Sequence, residues 1–330
     1  MGRITGRKED LAGRLLTVRP VKRYMKKYWK IFYRHRIAYA YIAPFFILFM
    51  IFSLYPILAG FGLSFFRWDG MGSKHFIGIE NYINLFKDSL FWKAFSNTIF
   101  IGVISHIPIL FGGMILAYIL NSKLVRGSNL FKTIYFMPMV TSSVAISIIF
   151  TQLFSNNYGL INYVLTMFGL EQQNWLGGDG SLIKVAVIIM NAWKWIGWNM
   201  VIYLAGMQGI SVDIYEAAKI DGAGHVKTFF SITIPLIKPI ILFTLVQSSI
   251  GIFNLFTEPF ILTNSSWTGG VNNGGLTLMM YLLGKAPQGG TAYGYASSIA
   301  YVITIFIVGC SYLFNKLAEG RGDTINGKDS

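Results

Sequence analysis

The stretch DIYEAAKIDGAGH, Asp213–His225, lies between two long apolar runs, about 182–207 and 236–263, and is itself polar and rich in alanine and glycine. Asp213 is placed to N-cap a helix, with Glu216 three positions on as the reciprocal member of a capping box. Ala217 and Ala218 are strong helix formers without bulk. Gly222 suits the left-handed turn that ends a helix, and Gly224 frees the chain to turn into a second helix carrying Phe229 and Phe230. Pro235 and Pro239 bracket entry into the next apolar run. A segment that only joined two helices would need about 2–8 residues, far fewer than this one. The pattern predicts a small helix-turn-helix projecting from an apolar bundle, its small residues letting another surface come close.

The rest of the chain says what that bundle is. Of its 330 residues, 54% are hydrophobic and 13% charged, with a formal net charge of +14. Soluble domains carry about 25% charged residues, so the deficit points to a membrane protein. Six apolar runs, about 37–66, 98–120, 131–154, 182–207, 236–263 and 295–317, are long enough to cross a hydrocarbon layer of about 30 Å. The chain is therefore expected to be an all-α integral membrane protein with six transmembrane helices. The lone cysteine, Cys310, lies in an apolar run and can form no internal disulfide.

The basic residues explain orientation better than they explain a nucleic-acid partner. Residues 1–36 hold twelve Lys/Arg, the 121–132 segment three, the 208–235 segment two and the tail from Lys316 three. The alternate segments are poorer: 155–181 has none and 264–294 only Lys285. Lys/Arg excess marks the cytoplasmic side, so both termini and the opening stretch are expected there. This gives a basic arm over 1–36, a six-helix domain over 37–317 with its loop at about 208–235, and a tail over 318–330. The arm lacks a short apolar core with a small-residue cleavage site and is not read as a cleaved leader; a topology signal is favoured over contact with anionic membrane lipid.

The run EAAKIDGAG, from Glu216, followed by FSITIP, Phe230–Pro235, resembles the EAA loop of permeases from binding-protein-dependent ABC importers. That pattern is Glu-Ala-Ala, three residues, Gly, nine residues, then Ile-x-Leu-Pro. Here it reads Glu216, Ala217, Ala218, Gly222, Ile232, Ile234 and Pro235, with Ile234 for Leu the one departure. The blocks NYINLFKD from Asn81, NTIF from Asn97, RGSNLFKTIYFMP over Arg126–Pro138, NAWKWIG from Asn191, LAGMQ from Leu204 and EPFILTN from Glu258 are similar to the carbohydrate branch of the family. The resemblance spans roughly residues 37–317. It implies the type I ABC importer permease fold and a coupling helix in which Glu216, Ala217, Ala218, Asp221, Gly222 and Gly224 meet a separate ATPase. It also implies the partners: a second homologous permease, two ATPase copies, an extracytoplasmic solute-binding protein and a carbohydrate substrate, in a bacterial or archaeal cytoplasmic membrane. The chain has no G-x-x-x-x-G-K-[ST] phosphate loop, so ATP and magnesium belong to the partner ATPase, and no cofactor, metal site or catalytic residue is expected on this chain.

Polar residues in mid-membrane usually face a bundle interior or a wet cavity. Asn191, Trp195, Trp198 and Asn199 fall on one face of a single helix, with the tryptophans near its centre and not at its ends, where interfacial anchors sit. Aromatic faces beside amides suit a sugar, whose C–H faces stack and whose hydroxyls hydrogen-bond. Gln247, Gly251, Asn254 and Glu258 follow similar spacing, with Ser248 beside them and Glu258 toward the external mouth. Ser143, Ser147 and Thr151 form a weaker stripe that small hydroxyls also make in plain helix packing. Lys194 calls for a carboxylate from a partner subunit or an acidic sugar, and the former is favoured. His106, with no acid in its span, is read as hydrogen-bonded packing. The expected function is import of a mono- or oligosaccharide, an acidic sugar included, by alternating access. An ABC permease for a non-sugar solute and an ion-gradient-driven secondary transporter are the alternatives. The second would show intramembrane carboxylates and internal repeats.

Overall fold

A computed structural model describes residues 33–122, 125–285 and 293–319. Most of the basic arm, Lys123 and the tail from residue 320 fall outside the described residues. The chain divides into two compact units, Met1–Gly60 and Phe61–Ser330. Residues 36–60 of the first belong to α1, Arg36–Leu63, with a π-helical turn at Met50–Leu54.

In the second unit a two-residue antiparallel ribbon, β1 (Phe66–Arg67) with β2 (His75–Phe76), precedes α2, Glu80–Lys87. Then come α3, Ser89–Asn121; α4, Ser128–Val140; α5, Ser143–Leu153; α6, Leu160–Met167; and α7, Ser181–Gln208. The polar segment forms α8, Val212–Ile220, and α9, His225–Leu236. The chain continues as α10, Lys238–Phe253; α11, Thr257–Leu262; α12, Leu278–Lys285; and α13, Tyr293–Glu319. Among the described residues, four helices are long and apolar enough to cross a membrane, or up to six if each bent pair is one span.

Helix α7 organises the unit. It runs 28 residues without proline, starting after Gly180 in the left-handed conformation at φ 77°. Its N-terminal half packs with α5 and α11 through Ala186, Met190, Ile146, Phe150 and Leu262. Its other half packs with α3 and α9 through Met200, Tyr203, Met207, Met114, Ala117 and Phe229. Gly197 lets α4 approach α7 backbone to backbone, because a Cβ there would overlap the Tyr135 carbonyl. Such small-residue contacts replace hydrophobic association inside a bilayer, where lipid is as apolar as the helix surface.

Three expected spans differ. The second begins at Ser89 and not near 98, because Asp88 caps it, accepting from the Leu90 N–H at 2.8 Å. The third is broken: α4 and α5 meet at 96°. Thr141 and Ser142 are extended between them, Pro138 removes a helical donor, and the Thr141 hydroxyl donates to the Met137 carbonyl, so side chain and ring both weaken the last turn of α4. The fifth ends at Phe253. Asn254 caps it by donating to Ile250 O at 2.8 Å, and Pro259 keeps α11 a separate short helix. Glu258 is therefore not on the helix that carries Gln247 and Gly251. At its start, α10 also bends by 70° from α9.

Candidate functional site

A cavity of about 570 Å³ lies between α3, α7 and α10, with Ser143 from the start of α5 and Asn254 and Glu258 from beyond α10 completing its lining. All eight residues read as a pathway line it: Asn191, Trp195, Trp198 and Asn199 from α7, Gln247 and Ser248 from α10, Asn254 from the break, and Glu258 from α11. The helical face of α7 holds as expected. The spacing argument for Glu258 fails, yet the reversal of the chain after Asn254 returns its carboxylate to the same space. Of the weaker stripe only Ser143 lines the cavity. The hydroxyls of Ser147 and Thr151 donate to carbonyls of their own helix, at 2.7 and 2.8 Å.

Lys194 and Glu258 form an ion pair at 2.6 Å, with side-chain exposures of 7% and 9%. The Lys194 ammonium also donates to the Ser143 hydroxyl, the first residue after the break in α5. One correction follows. The carboxylate beside Lys194 comes from this chain, Glu258, which is buried with it, so none is required from another subunit or a substrate. The reason is topological: the broken fifth span folds α11 onto α5, as no straight helix could. A carboxylate and an ammonium this deeply buried each cost several kcal/mol of desolvation, and geometry of this quality offsets that cost only as a pair.

The amides are partly committed. Asn191 donates to Ser105 Oγ at 3.2 Å, and Asn199 donates to the Trp195 carbonyl at 3.1 Å. The Asn199 Oδ1 is buried without a hydrogen-bond partner, and so is His106 Nε2. His106 donates from Nδ1 to the Gly102 carbonyl at 2.7 Å, which leaves Nε2 as the acceptor of the neutral ring. The packing expectation for His106 is thus half of its role: the other edge belongs to the cavity lining. The signal was Pro108 two residues later, which begins a π-helical turn, a feature frequent at functional sites. Phe243, Val246, Ile250 and Ile252 supply apolar wall and went unread, because in an apolar helix nothing in composition separates a cavity wall from lipid-facing surface.

The predicted helix-turn-helix is present as α8 and α9. Its cap is Ser211, whose hydroxyl accepts from the Asp213 N–H at 3.3 Å, so Asp213 sits in the first turn and the expected capping box is replaced. A serine two residues earlier has the shorter side chain and the extended backbone (φ −56°, ψ 138°) a cap requires. The C-terminal end is as read: Gly222 has φ 75°, Ala223 N–H reaches Ala218 O at 2.9 Å and Gly222 N–H reaches Lys219 O at 3.1 Å. Those two bonds are a Schellman motif. Glu216, Ala217, Asp221, Gly222 and Gly224 are exposed, and Ala218 is buried. Ile220 and Val226 are 86% and 73% exposed, an apolar surface beside the turn that a lone polar loop would not carry. The Tyr118 hydroxyl donates to the His225 carbonyl at 3.1 Å and its ring meets Phe229 at 4.9 Å, tying the motif to the end of α3.

Residues 109–319 match the family described as binding-protein-dependent transport system inner membrane component. The chain is 40% identical over 276 residues to the lactose transport system permease protein LacF of Rhizobium radiobacter, covering 83% of this chain and 91% of that one. It is 37% identical to the arabinooligosaccharides transport system permease protein AraP of Bacillus subtilis (strain 168), covering 93% and 98%. In structure it is similar, with TM-score 0.73 and 25% identity over 89% of this chain and 98% of the other, to a chain from a bacterial ABC transporter involved in the import of the acidic polysaccharide alginate.

Proposed function

The chain belongs to the binding-protein-dependent transport system inner membrane component family, and from that premise we propose that its cavity is where a carbohydrate crosses the membrane and its α8–α9 motif is where ATP hydrolysis on another subunit moves the bundle. It is a membrane-spanning permease of a sugar ABC importer, a transport component and not an enzyme. The ion-gradient carrier and the non-sugar permease find no support among its relatives.

The finer reading has six spans, with each bent pair counted as one, and both termini and the α8–α9 motif on the cytoplasmic face. The partners are a second homologous permease, two ATPase copies and an extracytoplasmic solute-binding protein. Glu216, Ala217, Ala218, Asp221, Gly222 and Gly224 form the contact with the ATPase. Closure of the ATPases on ATP displaces that contact and opens the cavity outward to accept the sugar. Hydrolysis returns the cavity inward. Trp195 and Trp198 offer ring faces to the sugar's C–H surfaces, and the amides and Ser248 meet its hydroxyls.

One observation carries the reading: two polar groups some sixty residues apart, Asn191, Trp195, Trp198 and Asn199 on α7 and Gln247, Ser248, Asn254 and Glu258 beyond it, line a single cavity. The test is uptake of radiolabelled saccharides into vesicles containing the whole importer, de-energised and loaded with ATP. Saccharide accumulation that survives an uncoupler and stops without ATP is the expected result. Accumulation that collapses with the ion gradient would refute the proposal.

A further inference from the structure

Among the described residues that line the cavity, Lys194 and Glu258 are the only Lys, Arg, Asp or Glu, and each is neutralised by the other. We infer that this pair acts as a charge filter, restricting the cavity to uncharged saccharides and rejecting uronates. The inference rests on the carbohydrate reading above and names the class of sugar within it.

The argument is one of compensation. A sugar carboxylate entering this space finds no free cation. To reach Lys194 it must displace Glu258, leaving that carboxylate buried and unpaired, and a lone buried charge is among the costliest groups a protein can hold. No arginine lines the space, so the bidentate fork that best fits a carboxylate is absent from the lining. The two orphaned polar atoms, Asn199 Oδ1 and the neutral-ring His106 Nε2, are both acceptors. Acceptors are satisfied by hydroxyl donors and repel carboxylates. The lining thus carries no net charge among its Lys, Arg, Asp and Glu, and the orphaned atoms behind it are ones that repel a carboxylate.

The test is equilibrium dialysis of radiolabelled disaccharides against the detergent-solubilised importer, assembled with its partner subunits but without the solute-binding protein, whose own selectivity then plays no part. The probes are neutral hexose and pentose disaccharides set against digalacturonate and diglucuronate. At least one neutral disaccharide is expected to bind about tenfold or more tightly than either uronate. Glu258→Gln leaves the Lys194 cation uncompensated, and uronate affinity is expected to rise about tenfold. The paired replacement Lys194→Met with Glu258→Leu restores neutrality without charge and is expected to exclude uronates again, which also covers the case in which Glu258→Gln fails to assemble. Uronates binding the native importer as well as neutral sugars, or the neutral pair replacement gaining uronate affinity, would overturn the filter. Binding of no saccharide of either charge would instead refute the carbohydrate reading on which it rests.

Discussion

The Lys194 ammonium meets the Glu258 carboxylate at 2.6 Å and also holds the Ser143 hydroxyl, so one side chain of the straight helix α7 fastens the first turns of both α5 and α11. Each of those helices begins just after a break in the chain. The pair is the joint at which two helices that follow breaks, α5 and α11, are registered on the unbroken α7.

Removing one member should therefore cost far more than removing both. Glu258→Ala is expected to destabilise the assembled complex by about 3–5 kcal/mol, since it strands a buried ammonium. Lys194→Met combined with Glu258→Leu is expected to recover most of that loss. Melting temperatures of the purified complexes compare the two, and equal losses would contradict the joint.

Gly222→Val is expected to cost about 1–2 kcal/mol locally, through backbone conformation alone. Its φ is 75°, and a Cβ there would meet nothing within 4 Å, so there is no clash to relieve. Uptake and substrate-stimulated ATP hydrolysis should fall together while the complex still assembles. Gly222→Asn, which tolerates the left-handed region, should keep most of both. Full activity in the valine variant would argue against the turn as the contact with the ATPase.

Gly197→Leu should behave differently, abolishing assembly. Any Cβ at this position overlaps the Tyr135 carbonyl, so α4 must leave α7. Gly251→Ala, with open space where its Cβ would go, should assemble normally and serves as the control. Recovery of intact complex on affinity purification separates the two.

Trp195→Ala or Asn254→Ala is expected to lower uptake at unchanged assembly, because both side chains face the cavity. Asn199→Leu makes a sharper case. It removes a buried acceptor with no partner, whose exposure to neither water nor donor costs about 1–3 kcal/mol. The variant should melt at or above the native temperature yet transport poorly. A variant that transports normally would show that the orphaned oxygen has no part in substrate contact.

The legible parts of the molecule were those governed by one periodicity or one special backbone angle. Helix α7 and its polar face followed from 3.6-residue spacing, and the end of α8 from a glycine that alone takes φ near 75° cheaply. The breaks were not legible. Thr141–Ser142 and Asn254 are too few to end the apolar runs that hold them, and proline is tolerated inside membrane helices, so it marks no certain break. The ion pair was lost with them: Lys194 plainly needed a carboxylate, but only the reversal after Asn254 shows that Glu258 can reach it. Ser211 is hidden as a cap because Asp213 and Glu216 have the spacing of a capping box.

Tyr118 gives the α8–α9 motif a second mechanical outlet. Along the chain, a push on the motif passes through the 70° bend into α10, the wall that carries Gln247 and Ser248. Through the Tyr118 hydroxyl and the Phe229 ring, the same push enters α3, the wall that carries Gly102 and His106. On the coupling proposed above, one displacement has a path to two walls of the space, α10 and α3, while the Lys194 contacts tie α5, α7 and α11 to one another.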